Sequence, residues 1–306
     1  MALPKTDTIW MNGRLVPWEQ ATVHVLSHVI HYGSCIFEGI RCYKTARGSA
    51  VFRLRDHVER LFDGCAIYRM EVPYTPAQIE AAIVETIKAN RQEACYIRPL
   101  VYRGYETLGV DPFPCPIDVA IAVWPWGAYL GKEANEKGVD VMVSSWRRSA
   151  PDTLPTMAKA SANYMNSQLI RMEASINGYA EGIALDASGF VSEGSGENIF
   201  VVKKGTLYTP PLAASILSGI TRASVLELAQ DLKIPVVEMN IPREMLYIAD
   251  EIFFSGTAAE VTPIRSVDRS PVGGGARGPV TTRLQAAFNA ITTGAAEDRR
   301  HWLSPL

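Results

Sequence analysis

The stretch Met157-Ala158-Lys159-Ala160-Ser161-Ala162-Asn163-Tyr164 sets a lysine among small residues, with a tyrosine five positions on. A lysine is normally a long, strongly hydrated side chain, so flanking alanines suggest that another group approaches its amine closely. Most lysines are surface charges, and Lys159 needs support from elsewhere before covalent chemistry is assigned to it. That support lies downstream. Glu181 to Asp186 reads as an apolar strand; Gly189 to Val202 reads as a glycine-punctuated turn carrying Glu193, with a second strand leaving it. A carboxylate is thereby expected at the mouth of a sheet. An amine that can bond a carbonyl cofactor and a carboxylate that can keep a pyridine nitrogen protonated are two parts of a pyridoxal phosphate site.

Two anion contacts complete the pattern. Ser215-Ile-Leu-Ser-Gly-Ile-Thr221-Arg222 precedes an amphipathic helix, and Ser255-Gly256-Thr257-Ala258-Ala259-Glu260 follows the apolar run Ile252 to Phe254. Both offer backbone N–H groups and hydroxyls to a phosphate, the first with a helix N-terminus behind it. Lys159 with Tyr164, Ser192 to Asn198, Leu217 to Arg222 and Ser255 to Glu260, taken in that order, resemble class IV aminotransferases. Within that class the resemblance is to the bacterial branched-chain amino acid aminotransferases, and it runs from Ile9-Trp10 to about Trp302.

Composition agrees with a globular protein that handles a small molecule. The 306 residues suggest about two domains, and 47% hydrophobic residues supply substantial cores. A net charge of -2 gives no long-range attraction for nucleic acid or a membrane surface. The five cysteines form an odd set without a C-x-x-C pair, so reduced thiols in a cytoplasmic protein are expected. Apolar runs such as Val119 to Val123 fall far short of the roughly twenty residues that span a bilayer. The Val23 to Ile30 run is interrupted by His24 and His28 and does not read as a signal sequence.

In chain order, Asn12-Gly13 between short apolar runs predicts a hairpin, because both residues tolerate positive φ. His24, His28 and His31 would share one face if they lay on a helix. That leaves a metal-dependent hydrolase as an alternative from another class, although neighbouring valines and isoleucine are β-branched and the segment has no acidic ligand or supporting carboxylate. Leu54 to Met70 has apolar residues at helical spacing, with Arg60 beside the stripe. Thr75-Pro76-Ala-Gln78 opens a second helix, with Thr75 as cap, Pro76 in the first turn and Gln78 closing a capping box. Cys95 to Tyr102 and Ile117 to Trp124 read as buried strands, and Tyr96 and Arg98 share one strand face. The aromatics and glycines of Trp124 to Gly131 mark an interdomain linker. Beyond it come a strand from Val139 to Trp146, a hairpin at Lys203-Lys204-Gly205, a helix over Thr221 to Lys233 and a final helix over Pro279 to Thr292.

The resemblance implies an α+β fold. Residues 1–125 would form a smaller N-terminal two-layer α/β domain, 126–135 an interdomain loop, and 136–306 a larger C-terminal domain with a barrel-like sheet and flanking helices. It implies reversible transamination between leucine, isoleucine or valine and 2-oxoglutarate, with pyridoxal 5'-phosphate as cofactor and Lys159 as catalytic base. Arg60, Tyr164, Glu193, Leu217, Gly219, Ile220, Thr221 and Thr257 would hold the cofactor. Tyr32, Phe37, Gly39, Tyr96, Arg98, Val110, Trp126, Tyr129, Thr257 and Ala258 would bind substrate. Tyr96 would help bind the α-carboxylate, and Arg98 would receive the distal carboxylate of glutamate. Tyr32 would reach the partner subunit's site, which requires a homodimer at minimum, with a hexamer as a larger option. Neither a metal, nucleic acid nor a membrane is implied. Ser218, Ser161-Ala162 and the charges in Tyr102 to Val110 depart from the common family pattern. A D-amino acid or (R)-amine aminotransferase on the same scaffold therefore stays open, as does a more distant aminodeoxychorismate lyase.

Overall fold

The computed structural model describes residues 4–127 and 133–306. The chain forms two compact units built from discontinuous segments. The first comprises Met1–Trp126, Ala158–Ala162 and Ile291–Leu306; the second comprises Gly127–Met157 and Asn163–Ala290. Lys159 thus belongs to the first unit and Tyr164 to the second.

In the first unit, the described residues form an eight-stranded sheet in the order Leu303–Pro305, Gly48–Phe52, Ile40–Thr45, Cys95–Arg103, Ile117–Trp124, Thr8–Met11 and Arg14–Pro17, with Cys35–Phe37 also paired to Cys95–Arg103. Neighbours run antiparallel. Thr8–Met11 turns into Arg14–Pro17 through Asn12 and Gly13, both at positive φ. The helices Leu54–Ile67 and Pro76–Ala89 cover the sheet. Their Val58, Leu61, Ile79, Ile83 and Ile87 are buried in one core with Ile97, Val101 and Ile121. Each such side chain contributes about 1.5–3 kcal/mol by leaving water. The second helix starts on a complete capping box: Thr75 N donates to Gln78 Oε1 at 2.8 Å, and Gln78 N donates to Thr75 Oγ1 at 3.3 Å.

The alanines around Lys159 have a packing reason. Phe37 N donates to Lys159 O at 3.1 Å and Ile36 bridges to Ala160, so the segment runs along the strand Cys35–Phe37. Ala158 and Ala160 are both buried there. Larger side chains would displace the core, and the lysine alternates between them.

In the second unit, the described residues form a ten-stranded mixed sheet. Its order is Val236–Glu238, Thr206–Thr209, Asn198–Lys203, Glu251–Gly256, Glu260–Val267, Val139–Arg147, Glu181–Leu185, Phe190–Gly194 and Ile241–Pro242, with Ser270–Pro271 paired to Glu260–Val267. The helix Tyr164–Ile176 packs on Val139–Arg147 and Glu181–Leu185, and Ile220–Asp231 packs on Glu251–Gly256. The final helix, Pro279–Thr292, begins over Glu251, which accepts from Val280 N and Thr281 N.

Two local expectations change. Glu193 is not in a turn: it lies within the strand Phe190–Gly194, and the chain reverses over residues 195–197 before Asn198–Lys203. The three histidines do not share a helical face, because the helix His28–Tyr32 starts after His24. Among the described residues, no helix is long and apolar enough to cross a membrane.

Candidate active site

In the first unit, Phe37 links two basic groups. The Lys159 amine lies 4.9 Å from the Phe37 ring centroid, and the Arg98 guanidinium carbon lies 4.8 Å from the same centroid. Arg98 is also 5.4 Å from the Tyr96 ring and 5.9 Å from the Trp124 ring. It donates a long hydrogen bond to Tyr96 Oη at 3.4 Å. Alternation along Cys95–Arg103 puts Tyr96 and Arg98 on one face, and the ring of Tyr96 lies 5.2 Å from that of Trp124 and 5.1 Å from that of Trp126. Gly39 is the small residue this packing requires, since a Cβ there would fall 1.9 Å from Tyr96 Oη.

Arg60 is not a loose cation beside the helix stripe. Its Nε and Nη2 donate to the two oxygens of Glu38 at 2.7 and 2.8 Å, and His57 Nδ1 donates to Glu38 Oε2 at 2.7 Å. Burial alone would raise the Glu38 carboxyl, but Arg60 and His57 outweigh it and hold the group far below the usual carboxylate range. Burial lowers the His57 pKa, so a neutral imidazole donates its Nδ1–H to the carboxylate.

In the second unit, the Glu193 carboxylate is held from two sides. Arg148 Nη2 lies 3.3 Å from Oε1, while Asn198 Nδ2 and Leu217 N donate to Oε2 at 3.0 and 3.1 Å. Asn198 Nδ2 also donates to Leu217 O at 3.0 Å. Gly219 leaves room for that asparagine: a Cβ at 219 would fall 1.9 Å from Asn198 Oδ1. The helix Ile220–Asp231 follows Gly219 without a side-chain cap, so its first N–H groups, near Ile220 and Thr221, suit an anion. Ser255 Oγ is buried without a hydrogen-bond partner among the described residues, at the strand end that leads to Thr257 and Ala258.

Glu181 and Glu197 are a second pair of buried acids in this unit. Burial and then the charge of Glu181 push the Glu197 carboxyl up to about 8, and burial likewise raises Glu181. Arg148 reaches across to the chain reversal, donating to Ser195 O at 3.1 Å and to Gly194 O.

The family model for class IV aminotransferases matches residues 35–267. The chain belongs to this family.

As a class IV aminotransferase it is a transaminase. It is 52% identical to the branched-chain-amino-acid aminotransferase of Salmonella typhimurium over 307 residues, covering 100% of this chain and 99% of that protein. A crystal structure of the Escherichia coli branched-chain amino acid aminotransferase superposes with a TM-score of 0.97 at 52% identity, covering 98% of this chain and 99% of that one. The branched-chain amino acid aminotransferase of Thermobaculum terrenum, solved in its PLP form, gives a TM-score of 0.91 at 36% identity, with 98% of each chain covered.

Other expected site residues are placed more simply in this class IV chain. Tyr32 is exposed, and so is Val110, at 84%. Tyr129 lies outside the described residues. Tyr164 opens the helix Tyr164–Ile176. The histidines have separate occupations: His28 contacts Ser34 Oγ at 2.6 Å and Gly109 O at 3.0 Å, His31 contacts Val25 O at 3.0 Å, and His24 Nδ1 accepts from Leu26 N at 3.1 Å. Of the departures in the 102–110 stretch, Arg103 is buried and donates to Pro112 O at 2.7 Å and to the carbonyls of Tyr68 and Arg69. Its charge serves the fold of its own unit.

Sequence reading did not single out Glu38, His57, Arg148 and Asn198, which the fold places against Arg60 and Glu193. A local signal existed for His57, which stands three residues before Arg60 on the same helix face. Glu38 sits between Phe37 and Gly39 with only its charge to mark it, and Arg148 has no local mark.

Proposed function

We propose that this chain is a branched-chain L-amino acid:2-oxoglutarate aminotransferase acting on leucine, isoleucine and valine, with pyridoxal 5'-phosphate as cofactor. The observation that carries the reading is Phe37 between the Lys159 amine and Arg98. An apolar ring within 5 Å of both groups suits an aliphatic side chain, and the guanidinium suits the second carboxylate of glutamate. Arg98 Nε is buried without a hydrogen-bond partner among the described residues, as expected of a group that receives a carboxylate.

The donor set fits the cofactor. The uncapped start of Ile220–Asp231 and the unpartnered Ser255 hydroxyl suit a phosphate, while the Glu193 carboxylate suits a protonated ring nitrogen. Arg60, Lys159, Tyr164, Glu193, Leu217, Gly219, Ile220, Thr221 and Thr257 would hold it. When bound, the cofactor supplies an electron sink for the charge left at the substrate Cα. Lys159 would hold the cofactor, and its amine would take the proton from the substrate Cα and deliver it to the cofactor. Glu193 would keep a proton on the ring nitrogen. Arg148, Asn198 and the Leu217 amide would fix that carboxylate in place, so its charge needs no reorganisation during the proton transfer. Tyr96, with the amides of Thr257 and Ala258, would bind the α-carboxylate. Phe37, Gly39 and Trp126 would border the side chain.

Amino acids and 2-oxo acids are the substrates that fit. A homodimer is the smallest assembly we propose, with Tyr32 and Val110 serving the partner's pocket. Its support is a set of exposed apolar residues on two neighbouring segments, including Val25, Ile30, Tyr32, Leu108, Val110 and Phe113. His24 against Tyr105, at 4.1 Å between ring centroids, ties those segments together. A cytoplasmic location accords with five free, buried cysteines.

Single-turnover absorbance with L-leucine, D-alanine and an aryl (R)-amine tests the substrate. L-leucine is expected to convert the bound aldehyde to the amine form, and its failure to do so overturns the assignment. Borohydride reduction and peptide mapping should place the cofactor on Lys159.

A further inference from the structure

Three charged or polar side chains, Glu38, His57 and Arg60, are buried together in the first unit at 0%, 1% and 8% exposure. His57 and Arg60 stand one helical turn apart on Leu54–Ile67, so both face the same way. Glu38 lies between the strands Cys35–Phe37 and Ile40–Thr45. The carboxylate takes Arg60 Nε on one oxygen and Arg60 Nη2 on the other, which fixes the plane of the guanidinium and not only its distance. His57 Nδ1 and Gly39 N, at 2.7 and 3.2 Å, then fix Glu38 itself.

The arrangement goes beyond a single ion pair. A guanidinium and a carboxylate facing each other are already matched in charge, yet a third buried side chain and a backbone amide also hold the acid. That is how an arginine with one productive orientation is supported: the groups behind it decide where its remaining donors point.

We propose that Glu38 and His57 are positioning residues for cofactor phosphate binding. They aim Arg60, so the strength of the phosphate contact depends on two groups that do not touch the phosphate. This rests on the reading of Arg60 as a phosphate contact.

The test uses the full-length apoenzyme and two ligands, pyridoxal 5'-phosphate and pyridoxal, which lacks the phosphate. Dissociation constants are measured by absorbance titration for wild type, Arg60→Gln, Glu38→Gln and His57→Gln, with thermal midpoints alongside. Glu38→Gln should weaken pyridoxal 5'-phosphate by about 10- to 100-fold, the usual range for removing a supporting partner, and His57→Gln by about 10-fold. Pyridoxal binding should stay within about threefold in both, because the phosphate contact alone is lost. His57→Gln keeps the Arg60–Glu38 pair, so it carries the test if Glu38→Gln does not fold. Equal weakening of both ligands would mark a merely structural role and overturn the proposal. Loss of phosphate-dependent affinity in Arg60→Gln with none in Glu38→Gln or His57→Gln would also overturn it, while leaving the Arg60 reading standing. Unchanged affinity in Arg60→Gln would instead remove that reading, and the proposal with it.

Discussion

Gly39 lies directly beneath the Tyr96 hydroxyl, so close that a methyl group at 39 would fall 1.9 Å from that oxygen. The tyrosine ring is held against Trp124 and Trp126 and has little room to withdraw. Gly39→Ala is therefore expected to destabilise the protein by about 1–3 kcal/mol, the usual cost of overpacking. It should also lower kcat/KM for L-leucine. Urea unfolding and steady-state kinetics check both, and an alanine variant as stable and active as wild type would contradict the packing argument.

In the proposed function Arg98 separates the two substrate types. Arg98→Leu would then remove a charge-assisted contact to a distal carboxylate but keep an apolar wall beside Phe37. We expect kcat/KM for L-glutamate to fall by about 100-fold and that for L-leucine by less than about fivefold. Parallel losses with both substrates would show that Arg98 is a packing residue.

Glu197 predicts a pH dependence of stability. Its folded value is raised from 4.5 to about 8, by burial first and by Glu181 second. Between those values the folded protein keeps a proton that the unfolded chain has released, so stability is fully present below about 4.5 and declines as pH rises toward about 8. Glu38 acts in the opposite sense but in a different window. Its folded value is depressed, so its contribution is lost only as pH falls below the ordinary carboxylate range. Urea midpoints measured from about pH 5 to about pH 9 should decline in wild type and flatten in Glu197→Gln. An unaltered slope in the variant would rule Glu197 out as the source.

Glu251 should be a stability residue with no role in chemistry. Its carboxylate accepts from Val280 N at 2.9 Å and from Thr281 N and Oγ1 at 2.7 Å, at the start of the final helix. Glu251→Ala strands these donors and is expected to cost about 2–4 kcal/mol. A thermal midpoint indistinguishable from wild type would refute this. Gly278→Ala gives a second check, since its Cβ would meet the Glu251 carboxyl carbon at 2.1 Å.

Much of the fold was legible because its signals are local. Thr75, Pro76 and Gln78 announce a helix start through hydrogen bonds that span only a few residues. Asn12-Gly13 and Lys204-Gly205 mark hairpins because the turns need positive φ, which both pairs adopt. Pro279 opens the final helix, and Leu284 and Phe288 supply its buried face. Glu193 was misplaced by a few residues because Gly194 and Gly196 read as turn glycines, whereas Gly194 ends a strand and is small to admit Glu197 and Phe254.

The candidate site was legible only in part. Lys159 and Glu193 stood out by their surroundings in the chain. Their supports did not: Glu38 meets Arg60 across 22 residues, and Asn198 meets the Leu217 carbonyl across 19. A contact between residues that far apart leaves no periodicity behind, so neither partner can be read from its neighbours.

What the sequence determined by itself is therefore the set of elements and the chemical types they carry, since capping, turn geometry and apolar spacing act over a few residues. What the tertiary structure decided is which buried charges face each other. Desolvation makes an unpaired buried charge too costly, so each of Glu38, Arg60, Arg148 and Glu193 is tied to a partner that only the folded chain brings within reach.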